Sequence, residues 1–396
     1  MSKRKLSRRQ AWRIEKIQQE RQVRAAKRDE NVGRLAGDTD NNSDKTSGSN
    51  SELGPEQLGL VIAHFGTQVE IESLCLSSDV SGHDKLAEDA ATATAIVTGE
   101  SSERIRRRCH FRANLGSLVT GDHVVFRDGQ PMGVVVAVKD RKTALSRPDP
   151  YGELKTIAAN IDRILIVIAP VPKPHTQLVD RYIVAAETLG IKAALVINKT
   201  DLIDDSNRET IENFVEIYRS LNYEVITAST YKTIDTSGGV DDDIVQVEYE
   251  GLADLQEFLA NHTSVFVGQS GVGKSSLING LIPDLNLQVG EISESNQKGI
   301  HTTTTAQLFH FPKGGDLIDS PGIREFGLWH MSGEDILEGF IELRPFIGHC
   351  KFRDFQHKKE PQCEILDAYS YSKISSSRLE SYESLTEITY RYSSDD

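Results

Sequence analysis

Apolar residues recur along this chain in three successive rhythms. From residue 58 to 148 they come in short β-rich runs at 59–63, 69–71, 123–126 and 133–138, with Gly121-Asp122 and Asp128-Gly129 as turn dipeptides. Strands this short and this regularly spaced predict a small β-barrel. After Arg147-Pro148-Asp149-Pro150 the rhythm lengthens. Residues 161–169 form a nearly continuous β-branched run, the pattern of a strand buried on both faces. It opens an alternation of helix 178–189, strand 193–197, helix 211–221, strand 223–227, helix 251–261 and strand 264–267, which predicts a doubly wound α/β sheet. Beyond Cys363, residues 365–385 carry a helical pattern before a Ser/Tyr-rich, acid-ended tail. The longest apolar run, 164–171, is broken by Pro170 and is far shorter than the roughly 20 residues of a membrane helix. No membrane partner is expected.

The first 56 residues follow none of these rhythms. Residues 1–28 hold only scattered apolar side chains, and 31–56 are rich in Asn, Asp, Ser and Gly, as in a flexible linker. The chain therefore divides into a basic arm and linker (1–52), a barrel (53–148), an α/β domain (149–325) and a C-terminal domain with a helical tail (326–396).

Charge changes the picture locally. The 396 residues carry 45 Lys+Arg against 59 Asp+Glu, a net of −14 that argues against a chain wrapped in nucleic acid. Residues 1–28, however, hold eleven Lys or Arg and two acids, so the remainder carries −23. A second basic cluster, Arg104, Arg106, Arg107, Arg108 and Arg112, surrounds His110 and Phe111 within the predicted barrel. It suits phosphate and base contact on an OB-type barrel; a solvated basic edge strand is the plain structural alternative. Four cysteines, Cys75, Cys109, Cys350 and Cys363, are too few for a secreted disulfide framework. A cytoplasmic protein is expected.

The chemistry lies in the α/β segment. Gly268-Gln269-Ser270-Gly271-Val272-Gly273-Lys274-Ser275 fits G-x-x-x-x-G-K-[ST], follows the apolar strand at 264–267 and opens a helix at Ser276. Its glycines let successive N–H groups turn toward phosphate oxygens, Lys274 brings a positive charge to the β- and γ-phosphates, and Ser275 offers a hydroxyl to Mg²⁺. Asp319, in Leu317-Ile318-Asp319-Ser320-Pro321-Gly322, stands at a strand end as a second Mg²⁺ group, and Gly322 can give its N–H to the γ-phosphate. Asn198-Lys199-Thr200-Asp201 ends the strand at 193–197. A carboxylate at Asp201 accepts from both N1–H and the 2-amino group of guanine, whereas adenine has a lone pair at N1 and no 2-amino group. Guanine nucleotides are therefore expected. Asn198 would tie this loop to the phosphate loop, and the Lys199 stem would cover the base.

Between these motifs, Lys298-Gly299-Ile300-His301 leads into Thr302-Thr303-Thr304-Thr305. One threonine, with Thr303 favoured, should reach Mg²⁺ in the triphosphate state; a threonine-rich edge strand is the alternative. Ile323 follows Gly322 where many GTPases place a water-orienting glutamine, and isoleucine cannot do that. His301 or a group supplied by a partner would take that part, with slow intrinsic hydrolysis. The motif order is also informative. The guanine motif precedes the phosphate loop and Asp319, whereas ordinary GTPases place it near the end, so the segment resembles a circularly permuted GTPase.

Near the C-terminus Cys350, His357 and Cys363 are spaced as metal ligands, with His349 or Asp354 available as a fourth. Two packed cysteines and a surface histidine are the bland alternative.

The combined pattern resembles the RsgA (YjeQ/EngC) family of small ribosomal subunit biogenesis GTPases over roughly residues 53–365. Matching words are Ser117-Leu118-Val119-Thr120-Gly121-Asp122, Ala158-Ala159-Asn160-Ile161-Asp162, Gly299-Ile300-His301-Thr302-Thr303-Thr304 and Arg324-Glu325-Phe326-Gly327-Leu328-Trp329. The resemblance implies an OB-fold barrel, a circularly permuted P-loop GTPase domain and a mainly helical zinc-binding domain. It further implies action late in maturation of the 30S ribosomal subunit, contact with 16S rRNA, and hydrolysis stimulated by the subunit, with GTP/GDP, Mg²⁺ and one Zn²⁺ as ligands; a monomer is expected. Cys350, His357 and Cys363 match family ligand positions, but Phe355 stands where the family has a further cysteine. An RNA-binding scaffold with a mainly structural nucleotide site is the competing function.

Overall fold

A computed structural model of the chain describes residues 53–74, 104–112, 115–148, 153–235, 244–285, 306–319, 331–352 and 356–393. Residues 52–396 form one unit. The basic arm lies outside the described residues, as do Cys75, His301, Thr303, Gly322, Asp354 and Phe355.

Five strands build the barrel: β1 (Glu56–Phe65), β2 (Gln68–Ser73), β3 (Arg106–His110), β4 (His123–Arg127) and β5 (Gly133–Val138). β1 pairs with β2, β2 with β3, β3 in parallel with β5, β5 with β4, and β4 with β1 again, so the sheet closes. Period-two alternation sends Val69 and Ile71 of β2 and Val124 and Phe126 of β4 into one apolar core with Cys109 and Val135. A side chain at Gly59 would meet Ile71 at 2.3 Å and Phe126 at 2.9 Å, so glycine there makes room for the ring. The end of β3 at Cys109 and His110 is bonded on both sides, whereas Arg106, Arg107 and Arg108 pair with β2 alone, so the arginine-rich part of the strand keeps an open side. Cys109 is a core residue, and burial pushes its thiol up to about 11.

A hairpin, β6 (Ala144–Pro148) and β7 (Leu154–Ala159), leads into the α/β layer. There β8 (Arg163–Ile168), β9 (Lys192–Ile197), β10 (Glu224–Thr227), β13 (Thr263–Val267), β14 (Gln307–His310) and β15 (Asp316–Asp319) lie in the order β10-β9-β8-β13-β15-β14. Pairings are parallel except that β14 runs antiparallel to β15. A separate hairpin, β11 (Ser229–Asp235) with β12 (Ile244–Glu250), is inserted after β10. The β8 run is buried on both faces: Ile164, Ile166 and Ile168 join one core, Leu165 and Val167 the other.

Helices α1 (Thr176–Leu189) and α2 (Arg208–Ser220) supply apolar side chains to the first of these cores, α3 (Leu252–Leu259) and α4 (Lys274–Leu281) to the second. The sheet does not stop at the barrel. Ala63 of β1 pairs with Gln307 of β14, making one continuous sheet of 11 strands.

The C-terminal segment folds as α5 (Gly333–Gly339), α6 (Glu364–Ser370) and α7 (Ser376–Ser393). The single helix expected at 365–385 is two, separated at 371–375, where Ser372 takes a left-handed φ of 57°. Gly339 of α5 approaches α1 so closely that a Cβ would lie 2.6 Å from the Val184 side chain. Phe340, Ile365, Leu379 and Tyr382 extend the same core as α1. Arg378 is 1% exposed and bridges Asp180 of α1 at 2.6 Å and Glu342 at 2.6 Å.

Candidate nucleotide site

The carboxyl ends of β8, β9, β13 and β15 point to one edge of the sheet, the edge at which open α/β sheets bind ligands. The loop 268–273 turns there between β13 and α4. Its glycines are required. Gly268 has φ +137° and its Cβ would lie 2.3 Å from the Val167 carbonyl oxygen; Gly273 has φ +92° and its Cβ would lie 2.2 Å from Asn198 Nδ2. Gly273 caps α4, so the orphan N–H groups of the first turn face the loop. The Lys274 ammonium donates to the carbonyls of Gly268 at 2.8 Å and Gln269 at 2.7 Å, which holds its charge over the loop mouth.

Asn198, fully buried at the end of β9, fastens a second loop onto the first. Its Nδ2 donates to the Val272 carbonyl at 2.9 Å and the Gly273 carbonyl at 3.3 Å, and its Oδ1 accepts from Thr230 N–H at 2.9 Å. Lys199, in the left-handed region with φ 57°, donates from Nζ to the carbonyls of Gly271 at 2.5 Å and Val171 at 3.2 Å. Its stem thereby crosses from the 198–201 loop to the phosphate loop. Thr200 N–H donates to Ser229 Oγ at 2.9 Å, and Thr200 Oγ1 to Glu250 Oε2 at 3.1 Å. Asp201 follows, exposed on a single turn of 3₁₀ helix. The backbone N–H of Ala228 donates to Ile197 at 3.1 Å.

Asp319 ends β15. Ser264 of β13 pairs with Leu317, two residues before Asp319, so β15 ends beside the strand that leads into the phosphate loop. Sequence reasoning overlooked the β11–β12 hairpin that contributes Thr230 and Glu250. Its signal was present in the alternation Val245, Val247, Tyr249 against Gln246, Glu248, Glu250.

Two further groups of predicted residues come together elsewhere. Cys350 Sγ lies 3.7 Å from Cys363 Sγ and 3.7 Å from His357 Nδ1, and His357 Nδ1 lies 3.2 Å from Cys363 Sγ. Tetrahedral zinc with Zn–S arms of 2.3 Å needs ligand edges of about 3.8 Å, so the three atoms fit one face of such a site. His349 does not join them. Burial pushes the Cys363 thiol up and holds His357 below its ordinary value. On the barrel, Arg104, Arg106, Arg107, Arg108 and Arg112 are exposed along and beside β3. Arg108 lies over the Phe65 ring at 4.7 Å, and His64 and Phe111 are 5.7 Å apart between centroids.

Comparison with known proteins agrees with this layout. The profile of the family described as RsgA GTPase matches residues 138–329. Proteins named small ribosomal subunit biogenesis GTPase RsgA from Pseudomonas putida and Pseudomonas aeruginosa are 48% identical over 387 and 384 residues, 97% and 96% of this chain and the same shares of their own lengths. The chain belongs to the RsgA family. Two solved structures share its fold. YjeQ from Thermotoga maritima has a TM-score of 0.61 at 26% identity, covering 85% of this chain and 99% of its own. YloQ, described as a circularly permuted GTPase, has a TM-score of 0.58 at 25% identity, covering 87% and 99%.

As an RsgA-family member the chain is a GTP-hydrolysing enzyme of ribosome biogenesis, and its GTPase domain takes GTP/GDP and Mg²⁺. The circular permutation inferred from motif order is that of the family. Among the described residues no helix is long and apolar enough to cross a membrane.

Proposed function

We propose that this RsgA-family GTPase docks on the 30S subunit through 16S rRNA while it holds GTP, and leaves when GTP is hydrolysed. The observation that carries the nucleotide part of the reading is the Asn198 amide, which locks the guanine-type loop onto the phosphate loop. The loop for the base and the loop for the phosphates are thereby joined through one buried side chain. In this reading the N–H groups of 268–276 and Lys274 hold the phosphates, Asp201 accepts from guanine, and Gly322 meets the γ-phosphate. Ser275, Asp319 and Thr303 hold Mg²⁺, which when bound neutralises charge developing on the phosphate oxygens. His301, or a group from the subunit, orients the attacking water.

The division of labour follows the chain: a basic arm and linker at 1–52, an RNA-facing barrel at 53–148, the GTPase at 149–325, and a domain at 326–396 holding one zinc on Cys350, His357 and Cys363. The chain works as a cytoplasmic monomer. Exposed Arg104, Arg106, Arg107, Arg108 and Arg112 on a closed barrel support the RNA contact.

Two variants test the reading. Asp201→Asn presents an amide donor where guanine also donates and should shift preference toward xanthine nucleotides, whose C2 carbonyl accepts; unchanged GTP preference would remove Asp201 from the base pocket. Lys274→Ala, given GTP at concentrations that saturate its weakened site, should stay on 30S particles because hydrolysis fails. Normal release would favour the scaffold reading instead. Added 30S subunits should accelerate hydrolysis by the native chain.

A further inference from the structure

Glu72 stands where the barrel meets the α/β sheet, and its carboxylate is shared across that border. The residue is 3% exposed. From the barrel side Arg104 Nη1 donates to Oε1 at 3.2 Å, and Arg106 Nε, on the residue directly across the β2–β3 ladder, lies 3.6 Å from Oε2. From the sheet side His310 Nε2 lies 2.9 Å from Oε1 and 3.1 Å from Oε2. The other ring nitrogen, Nδ1, lies 2.6 Å from Asp316 Oδ1.

An imidazole with a carboxylate at each nitrogen can donate to both only as the cation, so both contacts favour the charged form. Burial alone would lower its pKa, but the hydrogen bonds to Asp316 and Glu72 reverse that and raise it. His310 thus pins the turn end of the β14–β15 hairpin to the barrel. The opposite end of the same hairpin faces the nucleotide edge. There Gln307 pairs with Asp319 on one side and with Ala63 of the barrel on the other. β14 begins four residues after Thr303.

We infer that His310 is a positioning residue for GTP hydrolysis, coupling the β14–β15 hairpin through Glu72 to nucleic-acid phosphate bound at Arg104 and Arg106. The inference rests on the proposed reading of that arginine strand as RNA-facing and of Thr303 and Asp319 as Mg²⁺ groups. Arg104 and Arg106 are 45% and 54% exposed, so a phosphodiester can reach them while Glu72 stays inside. Phosphate competes with Glu72 for both guanidinium groups. A buried carboxylate left with fewer cations is costly, so Glu72 then depends on His310, and the hairpin is held harder against the barrel. Conversely, a nucleotide-driven shift of the hairpin that withdraws His310 returns both arginines to Glu72 and weakens phosphate binding. The coupling is reciprocal, as linkage requires.

The test measures binding of a short fluorescein-labelled oligouridylate to the full chain with GDP and with a non-hydrolysable GTP analogue, and hydrolysis with and without that RNA. In the native protein RNA affinity should differ between nucleotide states by about fivefold or more. In His310→Gln and Glu72→Gln the difference should collapse to within about twofold, while RNA still binds in both states. Asp316→Asn leaves the barrel untouched and should give the same collapse if Glu72→Gln does not fold. Equal RNA affinity in the two native states, or a full nucleotide effect retained in folded His310→Gln, overturns the coupling while leaving the RNA-facing strand intact. If Arg104→Ala/Arg106→Ala binds RNA as the native chain does, the arginine reading itself fails, and the coupling with it.

Discussion

The Asn198 amide is engaged on both sides: its nitrogen faces two carbonyls of the phosphate loop, and its oxygen accepts the Thr230 N–H. Asn198→Ala would leave those buried groups without their partner, at a cost of about 1–3 kcal/mol. Because the link joins the two halves of the pocket, much of that loss should appear in binding. GDP affinity, followed with a fluorescent analogue, is expected to fall about tenfold or more while the thermal midpoint moves little. Unchanged affinity would mean that backbone contacts alone hold the loops together. The motif was legible in the sequence because four consecutive residues carry it. The reason for glycine at 273 was not: the side chain it must avoid, Asn198, lies 75 positions away. The Glu72–His310 contact spans 238 positions and leaves no local pattern at all.

At the level of elements, strands buried on both faces announced themselves, since the β8 run feeds two cores with alternate residues. β14 did not, because four residues of mixed polarity acquire their identity from pairing with β15 and β1. Helix α7 shows why the tail resisted interpretation. Its anchor is a charged residue, Arg378, which a sequence reading assigns to solvent but which is 1% exposed. Burial opposes that charge, but Asp180 and Glu342 outweigh it and keep the guanidinium pKa above its ordinary value. Arg378→Ala would strand both acids in the core and should destabilise the chain by about 3–5 kcal/mol in urea unfolding; a loss below about 1 kcal/mol would show that the acids find water. The Cys350–His357–Cys363 face makes a second prediction for this region. Native protein should purify with about one zinc per chain and lose it to a chelator faster than Phe355→Cys, which adds a thiolate as a fourth ligand. Absence of zinc from the native protein would assign the two cysteines to packing.

For the whole molecule the net charge of −14 is the sum of opposed parts. The arm holds eleven basic residues, the β3 region presents five exposed arginines, and the rest is strongly acidic. On a polyanionic subunit such a molecule is attracted at two places and repelled over the remainder, so binding should be strongly salt-dependent and easily reversed. On single-stranded RNA each phosphate neutralised contributes about 0.7 to the slope of log K against log salt. Replacing Arg104, Arg106, Arg107 and Arg108 by Gln should therefore flatten that slope by up to about 3. The flattening falls short of that limit to the extent that Glu72 and Asp128 already neutralise three of these side chains in the free protein. Deleting residues 1–28 should weaken 30S binding and flatten its slope further. Measured together on 30S particles, the two changes separate the arm from the barrel. A slope that ignores the deletion but responds to the arginines makes the arm a solvated tail, and the reverse makes the arm the principal electrostatic tether.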